Sequence, residues 1–581
     1  MKLSWIRYIS VVAQPESLPS RIKYKAEATD LPCVAEHGVV YTRPWVADFV
    51  LDLAGYDAGE DLVGSIAIEP SCGDGEFLEA MIRRLSSSCR RQDRRLEDCA
   101  GSLLAFDLAP EAVATSRRRA ESVLVNCGWH EAESREMAQR WVREADFLLD
   151  PELDLFRLGG GVDFVIGNPP YVRLEHMDRE IAETYRKRYR TMGGRADLYV
   201  GFFERALNML APGGICAFIC ADRWMLNQYG SRLRKLVTTG GFSVETIVEM
   251  HRADAFHDGV LAYPAITTIR RAESQGKVFV ARVDRASSTS TNELARAARQ
   301  VHGNSRKKNP GVRGSEYVVV NEWFEGAAPW PSASPNRLKL LKCLEAEFAP
   351  LEDRSTGTRV GIGLATGADR VFLTKNPDLV ERDRLLPMAM ARDTVTGTLQ
   401  WSGHYLVNPW RADGSLVDLT GHPELHAYFE GNAGTLKGRH VAKKTPSRWY
   451  RTIDKVDQAL VTKPKLLIPD IKNVAHPVYD RGHYYPHHNL YHVTSEAWDL
   501  KVLGGLLLSA VGQFFIECYA VRMSGGYLRF QAQYLRRIRV PLPDGLDAHL
   551  SLQLSEAFER RDTESATQAA LRAYGINEIP L

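Results

Sequence analysis

Val162–Leu174, VDFVIGNPPYVRL, is the stretch on which the reading of this chain turns. Phe164, Val165 and Ile166 make a short apolar run that ends at Gly167 and breaks into Asn168-Pro169-Pro170-Tyr171. A run of that length, bounded by glycine and proline, predicts a buried strand ending in a rigid loop. The two prolines fix φ and remove two backbone donors, which leaves carbonyls free to point into a cavity. An amide side chain precedes them and an aromatic ring follows. Such a loop can hold and stack a planar, amino-bearing group.

The flanking sequence supplies a frame for that loop. Ser65–Leu85 reads as a strand (Ile66, Ala67, Ile68), a Gly-bearing turn from Glu69 to Gly75, and a helix whose buried face is Phe77, Leu78, Met81, Ile82 and Leu85. Doubly wound sheets meet nucleotide-like ligands at such a strand–turn–helix junction. The turn lacks the GxGxxG spacing, and Glu69 and Asp74 would repel a pyrophosphate; they suit a ligand carrying an ammonium and a sulfonium. A second strand, Ser102–Leu108, ends in Asp107, placed to accept hydrogen bonds from ribose hydroxyls, and Pro110 opens the next helix. Ala145–Leu149 offers an acid–aromatic pair just before the third edge of the sheet. Upstream, His37–Gly55 predicts a turn and an amphipathic helix with Thr42 as N-cap, Pro44 in the first turn, and Val46, Phe49, Val50 and Leu53 on one face.

Downstream, the charged stretch Glu175–Arg195 reads as a mobile lid over the Asn168 loop. Ala196–Leu210 and Trp224–Thr238 predict helices; Ile215–Ala221, Val244–Glu249 and Ala265–Arg271 predict strands. The alternation from Ser65 to Arg271 argues for one α/β domain with a largely parallel sheet.

A chain of 581 residues exceeds a single core, so two to four domains are expected. Hydrophobic content of 44% and charged content of 25% are those of a soluble globular protein. Trp5 and Arg7 interrupt the only early apolar stretch, so no signal peptide is expected, and Val502–Ile516 is too short to span a bilayer and reads as a buried helix. Nine cysteines without a CxxC pair fit a reducing cytoplasm. Cys216 and Cys220 have no second pair nearby, so no zinc site is expected. The net charge of +2 divides unevenly: residues 271–581 hold 41 Lys+Arg against 33 Asp+Glu, and residues 1–270 hold 33 against 39. A basic half beside an acidic one suggests a polyanion-binding module joined to a catalytic domain.

Taken together, these motifs resemble the Taq-type (gamma-class) adenine-N6 DNA methyltransferases of restriction-modification and phage-defence systems, over most of residues 37–271 and most specifically at Asn168-Pro169-Pro170-Tyr171. The resemblance implies an α/β fold: a doubly wound, mostly parallel, seven-stranded class I methyltransferase sheet, followed by a mixed α+β DNA-recognition domain. It implies S-adenosylmethionine as cofactor and no metal. Thr42 matches the residue that contacts the methionine part; Glu69, Pro70, Cys72 and Gly73 match the first cofactor loop. Asp107 matches the ribose-binding acid, and Asp146 and Phe147 match the pair that binds and flanks the cofactor adenine. Asn168, Pro169, Pro170 and Tyr171 are then the catalytic loop, Asn168 also bordering the cofactor, while Tyr171 and Phe256 stack on the flipped base.

The C-terminal half resembles the specificity domain that accompanies this catalytic domain. The division expected is an extension over 1–36, a methyltransferase domain over 37–285, a linker region over 286–335 and a target-recognition domain over 336–581. Strand-like runs are Arg359–Leu364, Arg370–Thr374 and Lys465–Ile468, and Gly361–Gly367 reads as a flexible loop. Basic residues alternate with aromatics in Lys443–Arg451, Arg481–Tyr491 and Tyr527–Arg539, a pattern that suits phosphate contacts and stacking on DNA. His483, His487, His488 and His492 match no common ligand spacing and read as part of a DNA-facing loop. About 36 residues precede the first motif, too few for a fused nuclease, so methylation of duplex DNA without cleavage is expected.

The expected protein is a cytoplasmic monomer that does not engage a membrane. The sequence leaves open whether a cognate restriction endonuclease or other defence proteins act beside it. Two other readings remain: a glutamine-N5 protein methyltransferase, which uses the same loop, and a DNA-binding subunit with an inactive methyltransferase fold. Cytosine-N4 transfer uses a related loop, more often with Ser or Asp first.

Overall fold

The computed structural model describes residues 40–580 apart from 155, 157–158, 258–262, 275, 285–287, 303–315, 322, 332 and 521–526. The extension expected over 1–36 lies outside the described residues. The chain divides into two compact units, Met1–Lys339 and Leu340–Leu581.

The first unit is built on a nine-stranded sheet. Its strands are β1 (Ala67–Glu69), β2 (Leu103–Asp107), β3 (Val142–Glu144), β4 (Val162–Gly167), β5 (Leu210–Ala221), β6 (Ser243–Glu249), β7 (Pro264–Arg270), β8 (Lys277–Arg282) and β9 (Glu316–Asn321), in the order β3-β2-β1-β4-β5-β7-β6-β8-β9. β1 pairs in parallel with both β2 and β4, and the parallel block continues through β3 and β5. β7 runs antiparallel between β5 and β6, which closes the expected set of seven. Two strands then extend the sheet, β8 parallel to β6 and β9 antiparallel to β8. β9 and the helix Ser288–His302 fall in the stretch expected as a linker. The β-branched run Val318-Val319-Val320 pairs along β8, a signal that the surrounding Ser-, Lys- and Gly-rich composition hides.

From β1 the chain steps outward through β2 to β3, then returns to the other side of β1 as β4. The strand order therefore reverses between β1 and β4, and in open α/β sheets ligands bind outside the strand carboxyl ends at that point. There the loops 70–75 and 168–171 meet. A side chain at Gly167 would crowd Pro70, its Cβ lying 3.2 Å from the proline Cδ.

The flanking helices are amphipathic, as their apolar spacing requires. α1 (Pro44–Ala54) buries Val46, Phe49, Val50 and Leu53. Burying a side chain of that size contributes about 1.5–3 kcal/mol. Thr42 does not cap this helix; the N-cap is Arg43, without a side-chain cap bond, because Thr42 is drawn into a bridge with Phe256. α2 (Glu76–Arg91) buries Phe77, Leu78, Met81, Ile82 and Leu85, and α3 (Pro110–Asn126) begins at the expected proline. Asp146 and Phe147 follow the edge strand β3 rather than precede it.

Two further expectations need correction. The stretch read as a mobile lid carries a helix, Arg179–Arg188, whose Tyr185 is 1% exposed, and Tyr189 just beyond it is 6% exposed. Both tyrosines are hydrogen-bonded into the loop after β3, so the segment is fastened rather than free. Trp224–Thr238 is not one helix: it breaks into Arg223–Leu226 and Ser231–Thr239. The fully buried Arg234 donates to the Trp224 and Asn227 carbonyls, taking up acceptors that a continuous helix would use internally.

The second unit is mixed α+β. One four-stranded sheet joins Arg359–Ile362, Leu490–Thr494, Lys465–Pro469 and Val478–Asp480, and another is built from Leu373–Thr374, Tyr405–Val407, Leu385–Ala389 and Tyr485–Pro486. Arg370–Thr374, read as a strand, instead opens with a helical turn, Asp369–Phe372. Gly361–Gly367, read as a flexible loop, begins inside a strand, and a side chain at Gly363 would strike the His487 carbonyl. Val502–Ile516, read as one buried helix, lies across two, Leu500–Leu508 and Ala510–Tyr519, bent by 65° where Ser509 caps the second. Both are buried in the unit, and among the described residues no single helix is long and apolar enough to cross a membrane.

Candidate active site

The Asn168 amide is oriented by its surroundings. Its Nδ2 donates to the Val40 carbonyl at 3.0 Å and to Thr42 Oγ1 at 3.1 Å. A carbonyl only accepts, so the nitrogen must face Val40 and the oxygen must face away. That oxygen, Oδ1, is buried and has no partner. A buried acceptor left unpaired costs about 1–3 kcal/mol, so a ligand donor is the natural completion of this site.

Tyr171 lies edge-on to two rings, Phe256 at 6.2 Å and Tyr199 at 6.1 Å. Its hydroxyl is buried without a partner, and burial pushes its pKa well above the usual value. Phe256 is carried to the site by main-chain pairing: Arg43 N donates to the Ala255 carbonyl, and His257 N to that of Tyr41. The sequence therefore unites residues 40–43, 168–171 and 255–257 across more than two hundred positions.

The cofactor-type loops are joined by a second chain of contacts. Asp107 Oδ2 accepts from Gly73 N at 2.9 Å, Oδ1 accepts from Ala109 N at 2.9 Å, and its carbonyl accepts from Ala145 N at 3.0 Å. Gly73 has φ +53°, and open space lies where its Cβ would stand. Cys72 N donates to the Phe106 carbonyl at 2.8 Å, so this cysteine serves the loop through its backbone while burial raises its thiol pKa. Glu69 is 1% exposed and its Oε2 is buried without a partner. Burial first, then the charges of Asp107 and Asp74, hold its carboxyl pKa well above the ordinary range. The charge of Arg119, which also approaches Asp74 at 3.8 Å, offsets this only in part. Pro70 is buried at the turn, and Arg119 answers the other acids, pairing with Glu76 at 2.5 Å and Glu79 at 2.6 Å.

Asp146 and Phe147 sit in a clamped loop. Asp146 Oδ1 accepts from Leu148 N and Oδ2 from the Tyr185 hydroxyl, each at 2.7 Å. Burial raises the Asp146 pKa against the lowering effect of the Tyr185 bond. Phe147 is 2% exposed and stacked on Phe202 at 5.2 Å. Arg205, its side chain 3% exposed, donates to the Leu148 and Asp150 carbonyls. Tyr185, Tyr189 and Arg205 escaped the sequence reading. The i,i+4 spacing of the two tyrosines and the lone cation in FFERALNML were the available signals. The network in which Tyr199 and Tyr229 share Asp197 Oδ2, at 3.0 and 2.7 Å, carried no sequence signal.

In the second unit much of the basic–aromatic pattern proves internal. Within Tyr527–Arg539, Phe530 and Tyr534 are buried, Arg529 pairs with Asp470, Arg536 with Glu352 and Arg537 with Glu345. These cations pair with carboxylates of the same unit. His487 is 2% exposed, with Nε2 3.2 Å from Asp369 Oδ2, so it is not a residue of an open loop, and the half-buried His488 groups with this pair. Lys443, Lys444 and Arg448 stay exposed.

The family model of the Eco57I restriction-modification methylase matches residues 103–256, and that of the TaqI-like C-terminal specificity domain matches residues 429–540. The chain is 42% identical to the Type II methyltransferase M.PaeR7I of Pseudomonas aeruginosa over 93% of its own length and 92% of that relative. It is 40% identical to M.XhoI of Xanthomonas vasicola, over 94% and 98% respectively. The fold aligns with the Type IIL restriction-modification enzyme MmeI, solved in complex with DNA, at a TM-score of 0.52 and 12% identity, covering 92% of this chain and 74% of that one. The chain belongs to the Type II DNA methyltransferases of restriction-modification systems.

Proposed function

We propose that this chain transfers a methyl group from S-adenosylmethionine to the exocyclic N6 of an adenine extruded from duplex DNA. The observation that carries the reading is the Asn168 amide, fixed through Nδ2 with its buried oxygen left unpaired. The adenine amine is a poor nucleophile because its lone pair is delocalised into the ring. Acceptors at both amine hydrogens, Asn168 Oδ1 and the Pro169 carbonyl, favour the pyramidal amine and stabilise the positive charge that develops on nitrogen. Pro170 stiffens the loop, and Tyr171 and Phe256 receive the base, whose extrusion costs a few kcal/mol of unstacking.

The cofactor supplies a methyl group already activated as a sulfonium. The residues around the β1–β4 switch point fit it on chemical grounds: the Glu69 carboxyl, unpaired at Oε2, suits its cationic methionine part, the Thr42 hydroxyl at the Asn168 amide would contact that part, and Asp107 suits ribose hydroxyls. The Asp146 carboxylate suits the adenine amine, and the open space at Gly73 admits the ligand against the backbone. The reaction needs no nuclease centre in this chain, and a cognate restriction endonuclease is a possible separate partner.

The test is methyl incorporation from labelled S-adenosylmethionine into unmethylated phage or plasmid DNA. Asn168→Ala is expected to keep cofactor and DNA binding and to lose about 10²–10³ in kcat, the range for removing one preorganised charge-stabilising group. Full activity in that variant would overturn the assignment of Asn168.

A further inference from the structure

We infer that Tyr185 is a positioning residue for cofactor selection, holding the Asp146 carboxylate in the orientation that distinguishes an adenine ring from other purines. The inference rests on the proposed cofactor site and assigns a task to a helix that the transfer chemistry does not use. Asp146 is half-buried and reachable, whereas Tyr185 behind it is 1% exposed. The Tyr185 hydroxyl donates to Asp146 Oδ2 at 2.7 Å while the Leu148 amide donates to Oδ1 at 2.7 Å. Two donors on opposite oxygens fix the carboxylate plane. Each oxygen keeps a further lone pair, so the group faces a ligand as a rigid acceptor.

The helix that carries Tyr185 is itself anchored to the same loop. Tyr189 donates to the Leu148 carbonyl at 2.5 Å, and Arg188 pairs with Asp154 at 2.6 Å. Arg205 approaches from the helix Tyr199–Met209 and donates to the Leu148 and Asp150 carbonyls. The loop is thereby held at its backbone, and Tyr185 sets the Asp146 side chain. The same hydroxyl opposes the burial that raises the Asp146 pKa, which favours the charged, acceptor-only form.

An acceptor-only carboxylate accepts from the 6-amino group of adenine and repels the 6-oxo group of hypoxanthine. A merely structural tyrosine would affect both ligands alike. The experiment measures Kd by calorimetry for S-adenosylhomocysteine and S-inosylhomocysteine, in the wild type, Tyr185→Phe and Asp146→Asn. Tyr185→Phe retains the buried ring and removes only the hydroxyl. It is expected to weaken S-adenosylhomocysteine about tenfold, the worth of one buried hydrogen bond. S-inosylhomocysteine should change less than twofold, so the preference for adenine collapses. Asp146→Asn, which brings an amide donor to the same place, is expected to improve relative binding of the inosyl ligand.

Equal weakening of both ligands by Tyr185→Phe, or no weakening, overturns the inference while leaving the cofactor site intact. Failure of the wild type to bind S-adenosylhomocysteine at all refutes the cofactor reading itself, and the two failures are distinct. Should Tyr185→Phe not fold, the Asp146→Asn ratio decides: an unchanged preference for adenine overturns the inference.

Discussion

Glu69→Gln tests the proposed cofactor pocket most sharply. Burial first, and then the like charges of Asp107 and Asp74 against the opposing charge of Arg119, hold the pKa of the Glu69 carboxyl, unpaired at Oε2, well above the ordinary 4.5. A cationic ligand reverses that balance by giving the ionised form a partner. Binding of S-adenosylmethionine should then release a proton at pH values between the lower pKa in the complex and the raised one. Each pH unit in that range is worth about 1.36 kcal/mol for one proton, so the Kd should tighten up to about tenfold per unit as pH rises and then level off. Glu69→Gln cannot release the proton and forfeits a charge-assisted hydrogen bond of about 1.5–3 kcal/mol, a weakening of roughly ten- to hundredfold.

Calorimetry in two buffers of different ionisation enthalpy reads the released proton directly. The wild type should approach one proton, and Glu69→Gln should fall close to none. The folding stability has the opposite sign. The folded state binds the extra proton between pH 4.5 and the raised value, so ligand-free stability declines as pH rises through that window, and the substitution removes the slope. Proton-free binding by the wild type, together with unweakened binding by Glu69→Gln, would refute the reasoning.

Other expectations follow from single contacts. Tyr171→Phe removes only a buried, unpaired hydroxyl and should leave kcat and stability within about twofold, whereas Tyr171→Ala loses a stacking ring worth about 1–3 kcal/mol and should slow methylation five- to hundredfold at limiting DNA. Arg205→Met leaves the Asp150 carbonyl without its donor and the Leu148 carbonyl with Tyr189 alone, and should lower unfolding free energy by about 1–3 kcal/mol in denaturant titration. In the second unit, Lys465 and Asp480 form a fully buried ion pair at 2.8 Å, and Asp480→Asn removes the ammonium's counter-charge, leaving it the Val461 and Lys463 carbonyls. That variant should cost about 3–5 kcal/mol, seen as loss of the unit's denaturation midpoint.

The first unit was legible in the sequence because its signals are local. Gly167 and the two prolines end a strand, Pro110 opens a helix, and the apolar spacing of Phe77 to Leu85 marks a face, all within one element each. What escaped depends on partners far along the chain. Thr42 looks like a helix cap from its neighbours, yet Asn168 and Phe256 recruit it to the site. The charged stretch from Glu175 looks free, yet Tyr185 and Tyr189 fasten it to a loop some forty residues earlier. The same limit explains the second unit. Arg529, Arg536 and Arg537 resemble phosphate ligands by spacing, and only the fold reveals that Asp470, Glu352 and Glu345 already hold them.

The central claim is that the Asn168 loop methylates the exocyclic amine of adenine. Nucleoside mass spectrometry of DNA incubated with the purified protein and S-adenosylmethionine tests it most directly. The account predicts N6-methyladenine as the modified nucleoside, reduced at least a hundredfold by Asn168→Ala. N4-methylcytosine in its place, or N6-methyladenine formed equally well by the variant, would contradict it.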